Sequence, residues 1–532
     1  ISGDGTLLTA VTADHRTVFT IQLSDSGDGS YKFTLYDNID HPASGSNDDS
    51  LPLTFGFKAT DSDGDSVTSS FKVTILDTAP VAAVGDARTV DEDDLPNGTD
   101  SSKESTTVSG DLNIDWGTDD SNKTSGGGLA DRSVAFRYAS ASANVDAEDS
   151  AGHNLTLTSD GQTVKYGFEN GVLVGYTGSD LAHGTHVFEV SLSDQNDGSY
   201  SFKLLGNLDH PAGSAENIVK LSFSFTATDG DGDTSSNSFT VSVKDDVPMI
   251  GASASASLTE NTTGSAGAEV FQTQTASNVA LNINWGADDG NSGAANRSVA
   301  FDSAIHTGDV VKTTGAGSPA LTSNGTAVQF IRVSDTEIWG VANDNGGQLT
   351  TNDRKVFHIT LSDNGSGSYT FELLDNVDNI GSGQTNALSL KLGFAATDAD
   401  GDSASGNFTV TINDDNGRPA IGAPVAGTVD EDGLSGGNTA AATGDVAGAN
   451  VTATGSLAIS WGADDNNSGS VNRVLGHHQR PECVDGRGLA EGRRRPGQAL
   501  GGRRYRLWLH RQQSGQRQRA VGRQPGVQGH AR

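Results

Sequence analysis

One stretch of about 25 residues occurs three times, and this internal repeat constrains the fold more than any other feature. From Val18 the chain reads VFTIQLSDSGDGSYKFTLYDNIDHP. From Val187 it reads VFEVSLSDQNDGSYSFKLLGNLDHP, and from Val356 VFHITLSDNGSGSYTFELLDNVDN. Phe19, Phe188 and Phe357 are 169 residues apart, as are Tyr31, Tyr200 and Tyr369. Trp116, Trp285 and Trp461 are each followed by glycine and, one residue later, by an Asp-Asp pair. A repeat of this length is a domain-sized unit. Cutting at Pro80, Pro248 and Pro419 gives a partial unit 1–79, full units 80–247 and 248–418, and a partial unit 419–473.

The periodicity inside each unit is that of β-strands. In Phe19-Thr-Ile21-Gln-Leu23 and Tyr31-Lys-Phe33-Thr-Leu35 apolar and polar residues alternate, which places one face on a core and one in water. Gly-rich connections such as Ser26-Gly-Asp-Gly-Ser30 suit hairpins. Leu221/Phe223/Phe225 and Phe239/Val241/Val243 continue the alternation in the second unit, and no segment carries a helical period. The expected fold is all-β, a β-sandwich in every unit of about 169 residues, strung as beads. Whether a unit is one large sandwich or two small ones stays open at this stage. The prolines after the last strands end each sheet and stiffen a short link.

The repeat breaks inside a motif. Asp131-Arg-Ser-Val-Ala-Phe136 and Asn296-Arg-Ser-Val-Ala-Phe301 predict Ser-Val-Ala-Phe after Asn472-Arg473, but Val474-Leu-Gly-His follows. Composition changes at the same point. Residues 1–473 hold 21 basic and 65 acidic residues. Residues 474–532 hold 13 arginines, three acids, the lone Cys483 and no Thr, Asn, Phe or Ile. This reads as GC-rich DNA translated out of frame, leaving an unstructured Arg-rich tail at 474–532. A genuine basic, anion-binding tail is the other reading. The first residue is Ile1 and the only methionine is Met249, so the chain reads as part of a longer product.

Each unit carries an acidic loop between its last two strands: Asp61-Ser-Asp63-Gly-Asp65, Asp229-Gly-Asp231-Gly-Asp233 and Asp398-Ala-Asp400-Gly-Asp402. Carboxylates two residues apart, with a glycine for a tight bend, can converge on a hard cation, and calcium takes such oxygen ligands. The pattern is not an EF-hand, since glycine is fourth and position 12 from Asp61 is Lys72. A plain polar turn is the competing reading. A second cluster lies at the links. Asp77 precedes Pro80, Asp245 and Asp246 precede Pro248, and Asp414 and Asp415 precede Pro419. Glu92, Glu260 and Glu431 open the following segments. These carboxylates can share an ion across a link, more weakly at the first, where Thr78 replaces Asp246. A solvated acidic hinge is the alternative. The Asp119-Asp120, Asp288-Asp289 and Asp464-Asp465 pairs read as turns, and the tryptophans as core anchors rather than glycan platforms.

Several classes are excluded or unsupported. The net charge of −34 argues against nucleic-acid binding. No apolar run is long enough for a membrane-spanning helix. One cysteine excludes a disulfide framework. No catalytic motif is present, and His41 and His210 recur in Asp-His-Pro but give way to Asn379 in the third copy, which makes them poor ligand or catalyst candidates.

The hairpin Leu192-Ser-Asp-Gln-Asn-Asp-Gly-Ser-Tyr200-Ser-Phe202, the loop Ala227-Thr-Asp-Gly-Asp-Gly-Asp233 and the strand-to-link segment Phe239-Thr-Val-Ser-Val-Lys-Asp-Asp-Val-Pro248 resemble the tandem extender repeats of RTX-type, type I-secreted bacterial surface adhesins. The likeness covers residues 1–473, and the acidic, proline-ended link also resembles cadherin junctions. The resemblance implies immunoglobulin-like sandwiches, Ca2+ at loops and junctions, contact with neighbouring repeats of the same chain, and an extracellular or cell-surface location supporting adhesion or biofilm formation. Glycine-rich nonapeptide repeats and a C-terminal secretion signal are absent from the sequence. The expected function is a non-catalytic calcium-binding extender, with contacts to matrix, glycans or surfaces made by domains outside the fragment. The alternatives are a glycan- or matrix-binding module and an accessory region of a secreted toxin or enzyme.

Overall fold

The structure is a computed structural model that describes residues 1–41, 49–122, 131–137, 146–213, 216–263, 270–343, 346–378, 387–414, 419–436, 451–461 and 473–476. The chain divides into two units, 1–473 and 474–532. Only residues 474–476 of the second are described. The all-β expectation holds: the described elements are strands, apart from two 3-10 turns at Glu92–Asp94 and Glu431–Gly433.

Among the described residues there are two hydrophobic cores, one formed by residues 82–243 with Ala287 and one by residues 256–412. In the first sandwich, one sheet pairs Lys165–Glu169, Val172–Thr177, Thr185–Ser193, Ser199–Leu204 and Thr107–Asp111 in that order. The facing sheet is built on the long hairpin Ile218–Thr228/Thr234–Lys244, flanked by Arg88–Asp91 in parallel and by Ser133–Phe136 and Asp146–Glu148. Alternation along Ile218–Thr228 is strict, with Val219, Leu221, Phe223, Phe225 and Ala227 all buried. Phe223 meets Phe188 and Phe202 of the other sheet at 5.9 and 6.0 Å, and Tyr200 stacks on Phe239 at 3.9 Å. Aromatic contacts of this kind add to what area burial contributes.

The second sandwich repeats the plan, with Ala387–Thr397/Ser403–Asn413 as its long hairpin and Tyr369 stacked on Phe408 at 4.0 Å. Trp116 and Trp285 are core residues, as the sequence led us to expect. Their ring N–H groups donate to the Asn196 and Gly365 carbonyls, and Arg132 and Arg297 lie over the rings at 4.7 Å. Arg473, the last residue before the repeat breaks, keeps the same place over Trp461 at 5.1 Å.

One consequence of this plan positions the site. The strand Thr234–Lys244 begins at the Asp229–Asp233 loop and ends at the link before Pro248. A strand of 11 residues spans about 35 Å. The acidic loop and the acidic link of one repeat are therefore held at its opposite ends.

Candidate metal centre

Loop and link of one repeat are far apart, and the loops Asp229–Asp233 and Asp398–Asp402 each meet the segment and link at the end of the repeat before. At the junction around Pro248, the segment Asn207-Leu208-Asp209-His210, the link residues Asp245 and Asp246, and Glu92 face the Trp-Gly-Ala-Asp turn at Asp288 and the loop Asp398–Asp402. The His210 amide donates to Asp400 Oδ2 at 3.0 Å and the Gly213 amide to Asp402 Oδ1 at 2.7 Å. Asn207 Nδ2 donates to Asp288 Oδ1 at 2.8 Å. The junction around Pro80 is built the same way. The His41 amide donates to Asp231 Oδ2 at 3.0 Å, and Asn38 Nδ2 to Asp119 Oδ1 at 2.6 Å.

The loops share one local conformation. In each, Oδ1 of the first aspartate accepts from the amides of the fourth and fifth residues, as Asp229 does from Gly232 (3.1 Å) and Asp233 (2.8 Å). The fourth residue has positive φ, +106° at Gly64, +115° at Gly232 and +119° at Gly401, a region closed to most side chains. This bend turns the three carboxyl groups to one side, and one oxygen from each of Asp229, Asp231 and Asp233 lies within 4.8 Å of the others. Asp61, Asp63 and Asp65 cluster equally but are exposed, whereas Asp229, Asp231, Asp233, Asp398 and Asp402 are buried against the preceding repeat.

At the second junction the carboxyl oxygens outnumber their donors. Both oxygens of Asp245, Oδ2 of Asp288, Asp398 and Asp402, Oδ1 of Asp400 and Oε2 of Glu92 are buried with no hydrogen-bond partner. Burial, reinforced by Asp400, Asp402 and Glu92, pushes the Asp245 carboxyl up to about 10. Burial, then Glu92 and Asp400, pushes Asp288 up to about 11. Asp398 rises to about 8 through burial and its neighbour Asp400, and Asp229 to about 7 through burial and Asp231. Buried carboxylates without donors are costly, and several together repel one another. A divalent cation removes both penalties. The donor set is all hard oxygen apart from His210, whose Nε2 lies 3.6 Å from Glu92 Oε2. Such a set, with loop and turn carboxylates from two repeats, fits calcium.

Not every expected residue lies in this cluster. Asp246 accepts from the Thr99 amide (2.9 Å) and hydroxyl and from the Ala287 amide (2.8 Å), so it clamps the link to both repeats. At the first link its place is taken by Thr78, which bonds Thr118 at 2.6 Å. Glu92 and Glu260 play equivalent parts, their Oε1 atoms accepting at 2.6 Å from the amides of Leu208 and Val377. Asp77 lies 3.4 Å from His41 Nδ1, and burial and the nearby Asp231 raise its pKa. Asp414 is partly buried and Glu431 exposed. Asp415 lies outside the described residues.

Four sequence expectations change. Glu92 and Glu260, expected to share an ion at the link that precedes them, sit at the other end of their repeats, Glu92 beside His210 and Asp245 and Glu260 accepting from the Val377 amide. The loop and link clusters, read as separate sites, converge at each described junction. Asp119 and Asp288, read as turn residues, are buried within it. His41 and His210, set aside because the third copy lacks a histidine, are buried beside Asp77 and Glu92. The fixed recurrence of Asn38, Asn207 and Asn376 three residues before His41, His210 and Asn379, and of Asp119 and Asp288 three after tryptophan, was the available signal.

A family model described as a domain of unknown function (DUF5801) matches residues 87–242. No curated protein matches the sequence. Among solved structures, zebrafish RET cadherin-like domains 1 to 4 align with 11% identity over 76% of this chain and 65% of that one, with a TM-score of 0.19. Mouse PcdhgC3 EC1-3 aligns with 11% identity over 77% and 88%, also with a TM-score of 0.19. The human desmocollin-1 ectodomain gives 11% identity over 76% and 73%, with a TM-score of 0.16.

Proposed function

We propose that this chain is a calcium-locked structural extender, a non-catalytic run of sandwiches held end to end by cations at their junctions. The observation that carries the reading is the buried set of unpartnered carboxyl oxygens contributed by both sides of the Pro248 junction. The proposed ligands there are Asp245, Glu92, Asp288, Asp398, Asp400 and Asp402, with Asp77, Asp119, Asp229, Asp231 and Asp233 at the preceding junction. Asp61, Asp63 and Asp65 form the same half-site, exposed. Asp414, Asp415 and Glu260 belong to the following junction, and Glu431, the counterpart of Glu92 and Glu260 in 419–473, would serve the junction at the far end of its own repeat. The proposed domains are 1–79, 80–247, 248–418 and 419–473, with 474–532 a frameshifted tail.

The mechanism follows from charge. Residues 1–473 carry 21 basic against 65 acidic residues, so without cations the units repel one another and their junctions stay loose. Calcium is scarce in the cytosol and abundant outside, so the junctions would close only after export. Resemblance to RTX-type adhesin repeats supports a bacterial cell-surface location and a role in adhesion, holding a binding domain away from the cell. Thermal unfolding in millimolar calcium and in chelator tests the reading. A higher midpoint in calcium is expected, and coincident curves would overturn it.

Trp116 and Trp285 are buried, which favours the structural reading over one in which these two rings bind glycan.

A further inference from the structure

The junctions around Pro80 and Pro248 each hold a buried histidine that the calcium cluster does not use. The side chains of His41 and His210 are 4% and 0% exposed. In both rings one nitrogen is committed to an acceptor. His41 Nε2 lies 3.3 Å from the Ile75 carbonyl, which can only accept, so Nε2 carries the proton. His210 Nδ1 lies 3.0 Å from Asn217 Oδ1. Asn217 Nδ2 donates to the Pro211 carbonyl at 2.8 Å, which fixes the amide with its oxygen toward the ring. The remaining nitrogens, His41 Nδ1 and His210 Nε2, are buried without a hydrogen-bond partner. Each faces carboxyl groups instead. His41 Nδ1 lies 3.4 Å from Asp77 Oδ1, and His210 Nε2 lies 3.6 Å from Glu92 Oε2. Ligand atoms of His41, Asp77 and Asp231 all lie within 4.8 Å of one another, as do those of Glu92, His210 and Asp245.

We infer that each of these junctions carries a second metal site, for a zinc-like divalent ion. Its ligands are His41, Asp77 and Asp231 at Pro80, and His210, Glu92 and Asp245 at Pro248. The separations favour a metal over a shared proton. A proton between ring and carboxylate draws the two to about 2.7–2.9 Å. Two ligand atoms bound at about 2.0–2.2 Å to one tetrahedral ion stand about 3.3–3.6 Å apart. An imidazole nitrogen among carboxylates suits zinc and its transition-metal neighbours, whereas calcium takes oxygen alone. The site rests on the function proposed above in that it divides the junction carboxyls between two ions. Glu92 Oε1 is taken by the Leu208 amide, so its unpartnered Oε2 goes to the ion beside His210. Asp245 has two unpartnered oxygens and serves both ions. Asp400, the counterpart of Asp231, acts through its charge on both Glu92 and His210, and its Oδ1 is unpartnered, which supplies a fourth ligand. Asn217 is a positioning residue: its Oδ1 holds the ring, and its carbonyl accepts from the Asp245 amide at 3.0 Å.

Zinc titration of the full chain against a chromophoric competitor, in millimolar calcium, tests the site. His41→Asn, His210→Asn and the double variant are measured beside the parent, asparagine being the residue that the third copy carries at 379. Zinc held elsewhere is common to all four chains and cancels. The parent should bind two equivalents more than the double variant, and each single variant one fewer than the parent. Asn217→Ala should weaken zinc at Pro248 by about 10–100-fold. Cobalt(II) in place of zinc should give the parent the strong visible bands of a four-coordinate ion, absent from the double variant. Equal zinc in parent and double variant, equal cobalt spectra, or loss of the extra equivalents as calcium is raised would overturn the second site. Melting of the same chains separates this result from the calcium lock. Calcium-raised melting with equal zinc refutes the second ion alone. Melting indifferent to calcium, with two extra zinc equivalents in the parent, leaves the second site standing and refutes the calcium lock alone.

Discussion

Asp288→Asn should change the sign of its effect on stability when calcium is removed. The side chain is fully buried, and its Oδ1 accepts from Asn207. An amide has nearly the same shape, keeps that acceptor, and turns an N–H toward the surrounding carboxyls. Without metal, Asp288 is pushed up to about 11, so at pH 7 it must be held protonated. Holding a carboxyl of ordinary pKa 3.8 neutral at pH 7 costs about 4 kcal/mol at about 1.4 kcal/mol per unit. Asparagine avoids that cost. Allowing for rearrangement of the remaining acids, we expect a gain of about 2–4 kcal/mol in chelator, or roughly 5–15 °C for a domain of this size. With calcium bound, the same change removes a charged ligand and should lower stability by about 1–3 kcal/mol. Calorimetric melting of parent and variant in both solutions reads the two shifts. Destabilisation of equal size in both would mean that Asp288 is only an acceptor for Asn207, and the cation argument would fail.

Three further outcomes follow from the same geometry. In chelator, stability should fall as pH rises, because the folded-state pKa values of Asp245 (about 10) and Asp288 (about 11) lie above the unfolded value of 3.8; the contribution is full below about pH 4 and is lost toward pH 10–11, at up to about 1.4 kcal/mol per pH unit for each group, and calcium should flatten the curve. Asp246→Ala breaks the bonds to Thr99 and Ala287 and should cost about 1–3 kcal/mol with calcium and without it, as measured by chemical denaturation in both solutions. Phe223→Ala, which empties a ring packed against Phe188, Phe202 and Phe239, should cost about 3–5 kcal/mol and lower the melting of the first sandwich while leaving the second unchanged.

The strands were legible because their period is short. Alternation along Leu221, Phe223 and Phe225 gives a face directly, and the structure buries that face. The loops at Asp229 and Asp398 were legible because three acids fall within five residues. Their partners were not. Asp245 and Asp398 are 153 residues apart in the chain, and only the lengthwise run of a hairpin strand shows that a loop must meet the previous repeat's link. Asp288 was obscured by its company, since Gly-Ala-Asp-Asp is also ordinary turn sequence. His210 was discounted because one copy lacks it, yet its backbone amide, which every residue but proline supplies, makes the contact to Asp400.

A crystal structure of the chain grown in calcium, with an anomalous difference map, tests the central claim most directly. A cation is expected among Asp245, Asp288, Asp398, Asp400 and Asp402, bound by oxygens from both sides of Pro248. A junction without a cation, its carboxyls paired with one another through shared protons, would contradict it.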